Sequence, residues 1–149
     1  MNAGMRDLLS HIVARYATTE DERRIELDAN AEESGADIEA DKAAAVERER
    51  QLASEQGDAF ARGLTLAWER ARRGGKEITF DDRQPDQNAM ASALVDYLVR
   101  FDLASSRSRE VGDHHYLYDI AVDWDRLRDV AEENGQRLDD VFDTSHGAA

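Results

Sequence analysis

His114 and His115 stand side by side ahead of a strict alternation, HHYLYDIAVDW, and an adjacent pair of imidazoles is the first place to look for metal chemistry. On a strand, successive side chains point to opposite faces, so these two do not chelate one ion together. His11 and His146 lie far off in sequence, and the three or four ligands of a zinc site are not supplied. Asp81-Asp82 and the acids Asp119, Asp123 and Asp125 lack the spacing of a calcium loop. They read as loop acids and helix caps, with Asp123 or Asp125 capping the last helix. The absence of cysteine removes thiolate ligands, thiol nucleophiles and disulfides together. No nucleophile elbow, phosphate loop or dinucleotide fingerprint occurs. Paired carboxylates abound, but 33 acids in 149 residues produce such pairs by composition alone. The expectation is a protein that is not an enzyme and that takes no metal or cofactor.

What remains is cation and aromatic chemistry around the same stretch. Both flanks of Gly112-Asp113 alternate, and Gly-x is a favoured two-residue hairpin turn. That loop sets Val111 opposite His114, Arg109 opposite Tyr116, Arg107 opposite Tyr118, Ser105 opposite Ile120 and Leu103 opposite Val122. Cross-strand partners share a face. One face therefore runs from Leu103, Ile120 and Val122 at its base to Arg107, Arg109, Tyr116 and Tyr118 toward its tip. Arginines held over rings in this way form a projecting finger suited to phosphates or a narrow groove.

The elements that must carry this hairpin are mostly helical. Met5, Leu8, Leu9, Ile12, Val13 and Tyr16 share a helical stripe. Thr19-x-x-Glu22 has the form of a capping box opening a second, mostly solvated helical stretch that stops at Gly35. A long helical run follows from about Ile38 to Arg73, with Gly57 as a candidate kink. Its second half carries a core stripe of Phe60, Leu64, Ala67, Trp68 and Ala71. Lys76 to Phe80 reads as a short strand, Asp81 to Gln87 as a loop, and Asn88 to Asp102 as a helix buried through Met90, Leu94, Tyr97, Leu98 and Phe101. The final helix starts at Trp124 and continues apolar beyond Gly135 to Phe142. The fold class is mainly α with a small β-hairpin, divided into an N-terminal helical region (1–56), a C-terminal part (57–142) and a disordered tail (143–149).

Charge is the strongest compositional signal. The chain has a formal net charge of −14, and of its 19 basic residues all but Lys42 and Lys76 are arginine. A surface in which lysine gives way to Asp, Glu and Ala resembles the proteins of salt-accumulating haloarchaea; an arginine-rich, GC-rich genome is the alternative. In dilute buffer such a charge repels phosphate. At about 1 M salt the Debye length shrinks to about 3 Å, so only contact-range groups count. Acidity then neither supports nor excludes a nucleic-acid partner. The N-terminus is apolar only at helical spacing and carries Arg6, Asp7, His11 and Arg15, unlike a signal peptide or membrane span. A cytoplasmic location and no membrane contact are expected.

The order helix, short strand, helix, hairpin, helix over about residues 58–142 resembles the winged-helix DNA-binding family. LVDYLVRFDLASSRS, a helix ending in aromatic-Asp-Leu and passing into a polar strand, is the closest local match. The resemblance implies that Asn88 to Asp102 is the recognition helix and that the hairpin is the wing. It further implies a DNA-binding transcriptional regulator acting as a homodimer, with duplex contacts from Arg83, Gln87, Asn88, Ser92, Arg100, Arg107, Arg109, His114, His115 and Tyr116. Two departures stand against it. Asp81 to Gln87 leaves room for barely one turn where the family has a second helix, and Asp96 would face phosphate. The alternative is a non-enzymatic adaptor or scaffold on the same fold. A regulator gathers Arg83, Arg100, Arg107 and Arg109 on one side, and an adaptor does not.

Overall fold

The computed structural model describes residues 2–29 and 35–142, so the expected disordered tail lies outside the described residues. Asn2 opens the first helix, its side chain accepting from the Met5 amide at 2.7 Å. Helix α1 (Ala3–Ile12) passes through a π-helical turn (Val13–Ala17) directly into α2 (Thr18–Ala29). The run is unbroken, which overturns the capping box. Thr18 and Thr19 are helix-interior residues, and the Thr18 hydroxyl donates backwards to the carbonyls of Val13 (2.8 Å) and Ala14 (3.0 Å). A Ser or Thr inside a helix satisfies its hydroxyl in this way rather than by capping.

Helix α3 (Gly35–Arg72) is one helix of 38 residues and continues without a break through Gly57, the candidate kink. Strand β1 (Ile78–Asp81) follows, then α4 (Pro85–Tyr97). Pro85 starts this helix at its first turn, where a missing N–H costs nothing, so the helix begins earlier than the apolar pattern suggests. It ends in a 3-10 turn (Val99–Phe101) and a left-handed Asp102. Strands β2 (Ala104–Gly112) and β3 (His115–Val122) form the expected hairpin. Helix α5 (Trp124–Glu133) is capped by Asp123, which accepts from the Arg126 amide. Gly135, at φ +69°, turns the chain into α6 (Leu138–Val141).

The molecule is thus mainly helical with one antiparallel three-stranded sheet in the order β1-β3-β2. A single core joins the N-terminal helices to the rest: Met5, Leu8, Leu9 and Ile12 pack in the same cluster as Phe60, Leu64, Phe80, Leu94, Tyr97, Ile120, Leu127, Leu138 and Val141. The α1 stripe is therefore buried within the chain and is not available to a mate. Polar bonds fasten the C-terminal helices over it: Asn2 donates to the Val141 carbonyl, Gln136 to the Gly4 carbonyl, and Arg15 pairs with Glu133. Gly63 lets α3 and α4 meet closely, since a Cβ there would come within 3.1 Å of the Met90 Cβ. Between β1 and β2 stands one α-helix with its 3-10 extension, where a helix-turn-helix has two helices.

Candidate functional site

The hairpin keeps its expected ends but not its expected register. Gly112 pairs with His115, which leaves Asp113-His114 as the loop, and His114 takes φ +54°. Histidine is among the residues that enter the left-handed region more readily. One extra residue, Val111, then bulges from β2, since Gly112 pairs with His115 but Glu110 with Tyr116. From there Arg109 faces Leu117, Arg107 faces Asp119, Ser106 faces Ile120 and Ala104 faces Val122. A slip of one residue moves every side chain to the other face. The finger of arginines beside Tyr116 and Tyr118 is accordingly replaced: those tyrosines lie on the face of Phe80 and Ile120, and the arginines lie on the reverse face.

On that reverse face Asp119 is the hub. It is 2% exposed and lies under the two guanidiniums. Arg109 donates to it through Nε at 2.6 Å and Nη2 at 3.1 Å, and Arg107 through Nη2 at 3.2 Å. Thr79 donates its hydroxyl at 2.6 Å from β1, where it pairs directly with Asp119. The Arg109 guanidinium and the Thr79 hydroxyl hold the Asp119 carboxyl well below the usual carboxylate range, against the opposing effect of burial. Arg109 is in turn held above its ordinary value by hydrogen bonding to Asp119. Arg107 also reaches Glu77 at 3.2 Å. Two cations and two acids thus neutralise one another on this face.

The tip is tied down by a second cluster. His115 Nε2 lies 2.8 Å from Asp81 Oδ1, which also accepts the Arg83 amide. Those contacts, the Arg83 amide first, keep the Asp81 carboxyl below its ordinary value. Asp82 accepts the Tyr116 amide at 3.1 Å, and Arg83 donates to the Asp113 carbonyl at 3.0 Å. Asp81, Asp82 and His115 bring one potential ligand atom each within 4.8 Å of one another, the one such grouping among the described residues. Their hydrogen bonds make this cluster a clasp between the β1 end and the hairpin. His115 is consequently half-buried rather than a free tip residue, whereas His114 is exposed, as its place at the turn demands.

Elsewhere the expected contact residues separate. Gln87 accepts the Asp81 amide and helps shape the loop into α4. Asn88 and Ser92 are exposed on α4, together with Asp86. Arg100 points the other way, to the N-terminal helices: it bonds Glu20 at 2.7 and 3.0 Å and Glu49 at 3.3 Å. Asp21 and Glu49 are 4% and 6% exposed. Burial, then the neighbouring Asp21, raises the Glu49 carboxyl above its ordinary value, which is how two buried acids share one guanidinium. Tyr97, buried nearby, is pushed up to about 12, first by burial and then by Glu49. Arg83, Arg100, Arg107 and Arg109 therefore do not form one patch. Asp119, expected as a loop acid or helix cap, is instead a buried residue in the middle of β3, and sequence reasoning passed over Asp21 and Glu49. For Asp119 the usable signal was an acid between Tyr118 and Ile120 in mid-strand; for the other two there was none beyond their charge.

Comparison with family models, characterised proteins and solved structures returns no match to this chain. Among the described residues no helix is long and apolar enough to cross a membrane.

Proposed function

We propose that this chain is a non-enzymatic interaction module that takes an extended peptide along the free edge of β2. The observation that carries the reading is the strand itself. In the order β1-β3-β2 the nine-residue β2 lies at the sheet margin, and every residue from Ser105 to Gly112 is exposed. An edge strand offers a row of unpaired backbone groups to an added strand, whose main-chain hydrogen bonds give affinity. Ser105, Ser106 and Ser108 keep the approach open. Val111 and Tyr116, 48% and 36% exposed, supply apolar contacts at the tip. The arginines that would otherwise seek phosphate are occupied by acids of the same molecule.

The test is selection of binders from a random peptide library in molar KCl, followed by amide hydrogen exchange of the complex. Protection concentrated in residues 104–112 supports the reading. Failure to enrich any peptide, or protection confined to other elements, rejects it.

Duplex DNA binding by a winged-helix-like regulator is the second reading, favoured by a projecting hairpin on which Arg107 keeps a 65% exposed side chain. Against it, α4 presents Asp86 beside Asn88 and Ser92 where a recognition helix presents donors to base edges. Fold-level likeness does not fix function. A gel shift with random duplexes at molar KCl separates the two, since retention of duplex that is lost in Arg107→Ala with Arg109→Ala favours the regulator.

A further inference from the structure

A second feature lies away from the hairpin. The α1–α2 arm and the middle of α3 do not close fully on one another: between them runs a crevice of about 930 Å³. That volume lies near the upper end of small-molecule sites. Its floor is apolar. Leu9 and Val13 are buried on the first arm, and Val46 and Ala53, seven residues apart on one face of α3, are half-buried opposite them.

Its charge inverts that of the molecule. The chain has 33 acids to 19 bases, yet among the described residues the crevice is lined by two arginines, Arg6 from α1 and Arg50 from α3, and by one carboxylate, Glu22. Among the side chains described, which exclude those of residues 28–37, no carboxylate lies within ion-pair distance of either arginine. Arg15, Arg100, Arg107 and Arg109, by contrast, all have acid partners. Two cations at the rim of a cleft with an apolar floor raise the local potential toward an anion.

The wall is also unusual in backbone. The π-helical turn Val13–Ala17 falls here, with Val13 and Ala14 lining the crevice. Such turns are rare and occur frequently at functional sites. At its end the Thr18 hydroxyl donates back to the carbonyls of Val13 and Ala14.

We infer that the crevice binds a single-chain amphipathic anion, its hydrocarbon portion on Leu9, Val13, Val46 and Ala53 and its carboxylate or phosphate head between Arg6 and Arg50. A purely polar anion leaves the floor unused, and an uncharged chain leaves the guanidiniums unused. The inference does not depend on the β2 edge.

The experiment is isothermal titration of the full chain with decanoate, decyl phosphate, decanol and acetate, each below its aggregation limit. Saturable 1:1 binding of decanoate or decyl phosphate is expected, and the tighter of the two identifies the head group. Arg6→Gln with Arg50→Gln should weaken that binding at least tenfold, about 1.4 kcal/mol, while leaving decanol unaffected. Both side chains are exposed, so this variant keeps the fold. Ala53→Trp, filling the floor, should abolish binding of every chain. No saturable binding of either anion overturns the inference. So does unchanged binding by the double variant, or acetate binding as tightly as decanoate.

Discussion

Removal of the Asp119 side chain tests whether the arginine pair of the hairpin is a clamp inside the protein or a hand held out to a partner. Four hydrogen bonds end on this carboxylate, three from guanidiniums. Hydrogen bonds to charged groups contribute about 1.5–3 kcal/mol each. The arginine side chains are 65% and 46% exposed and recover water when released, which discounts the sum heavily. Asp119→Ala is therefore expected to lose about 2–4 kcal/mol, a fall in melting temperature on the order of 5–10 °C for a chain of this size. Arg109, with bonds at 2.6 and 3.1 Å, should matter more than Arg107, with one at 3.2 Å. In a double-mutant cycle, Arg109→Ala should be costly in the wild type and nearly neutral once Asp119 is gone. The pH dependence has a fixed sign. A carboxyl held below its ordinary value of 3.8 contributes stability that is complete above that value and lost as pH falls through the folded one. The wild type should thus lose this increment on acidification below pH 3.8, and Asp119→Ala should lack it. Melts are run in 2 M KCl, so that general screening is constant. Equal costs of Arg109→Ala in both backgrounds would refute the clamp.

Other outcomes follow from the same geometry. Glu49 is held above its ordinary value of 4.5, so its contribution is complete below that value and lost as pH rises through the folded one; Glu49→Gln should flatten the decline in melting temperature as pH rises above 4.5, and a slope identical to the wild type counts against it. Gly63→Val should cost about 1–3 kcal/mol by overpacking α3 against Met90 and Leu94, with a neutral result in chemical denaturation showing that the helices are free to separate. With 33 acids crowding the surface, the melting temperature should rise substantially from dilute buffer to about 2 M KCl as screening relieves self-repulsion. A flat profile across that range removes the halophilic reading.

The legible parts of this molecule are those whose cause is local. The α1 stripe follows from period 3.6, the Asp123 cap from an acid ahead of an apolar helix, and the hairpin from a glycine between two alternating runs. The register was not legible, because it turns on one residue. Whether the chain reverses at Gly112-Asp113 or at Asp113-His114 depends on His114 entering the left-handed region and on Val111 bulging, and either choice leaves the same alternation on paper. That single residue decided which partners Arg107 and Arg109 received. The ion pairs were illegible for a different reason. Arg100 and Glu20 are 80 residues apart, and His115 and Asp81 are 34 apart; no periodicity links them, and with 33 carboxylates available the composition names no particular partner. Composition does carry one general consequence. Where acids outnumber bases so strongly, an arginine near another element readily finds an acid, as Arg15, Arg100, Arg107 and Arg109 do. Exposure alone is then poor evidence that an arginine meets a ligand. The informative cations are those that share a concave surface and still lack a carboxylate among the described side chains, and this is why Arg6 and Arg50, which no motif singles out, carry more functional weight than the arginines of the hairpin.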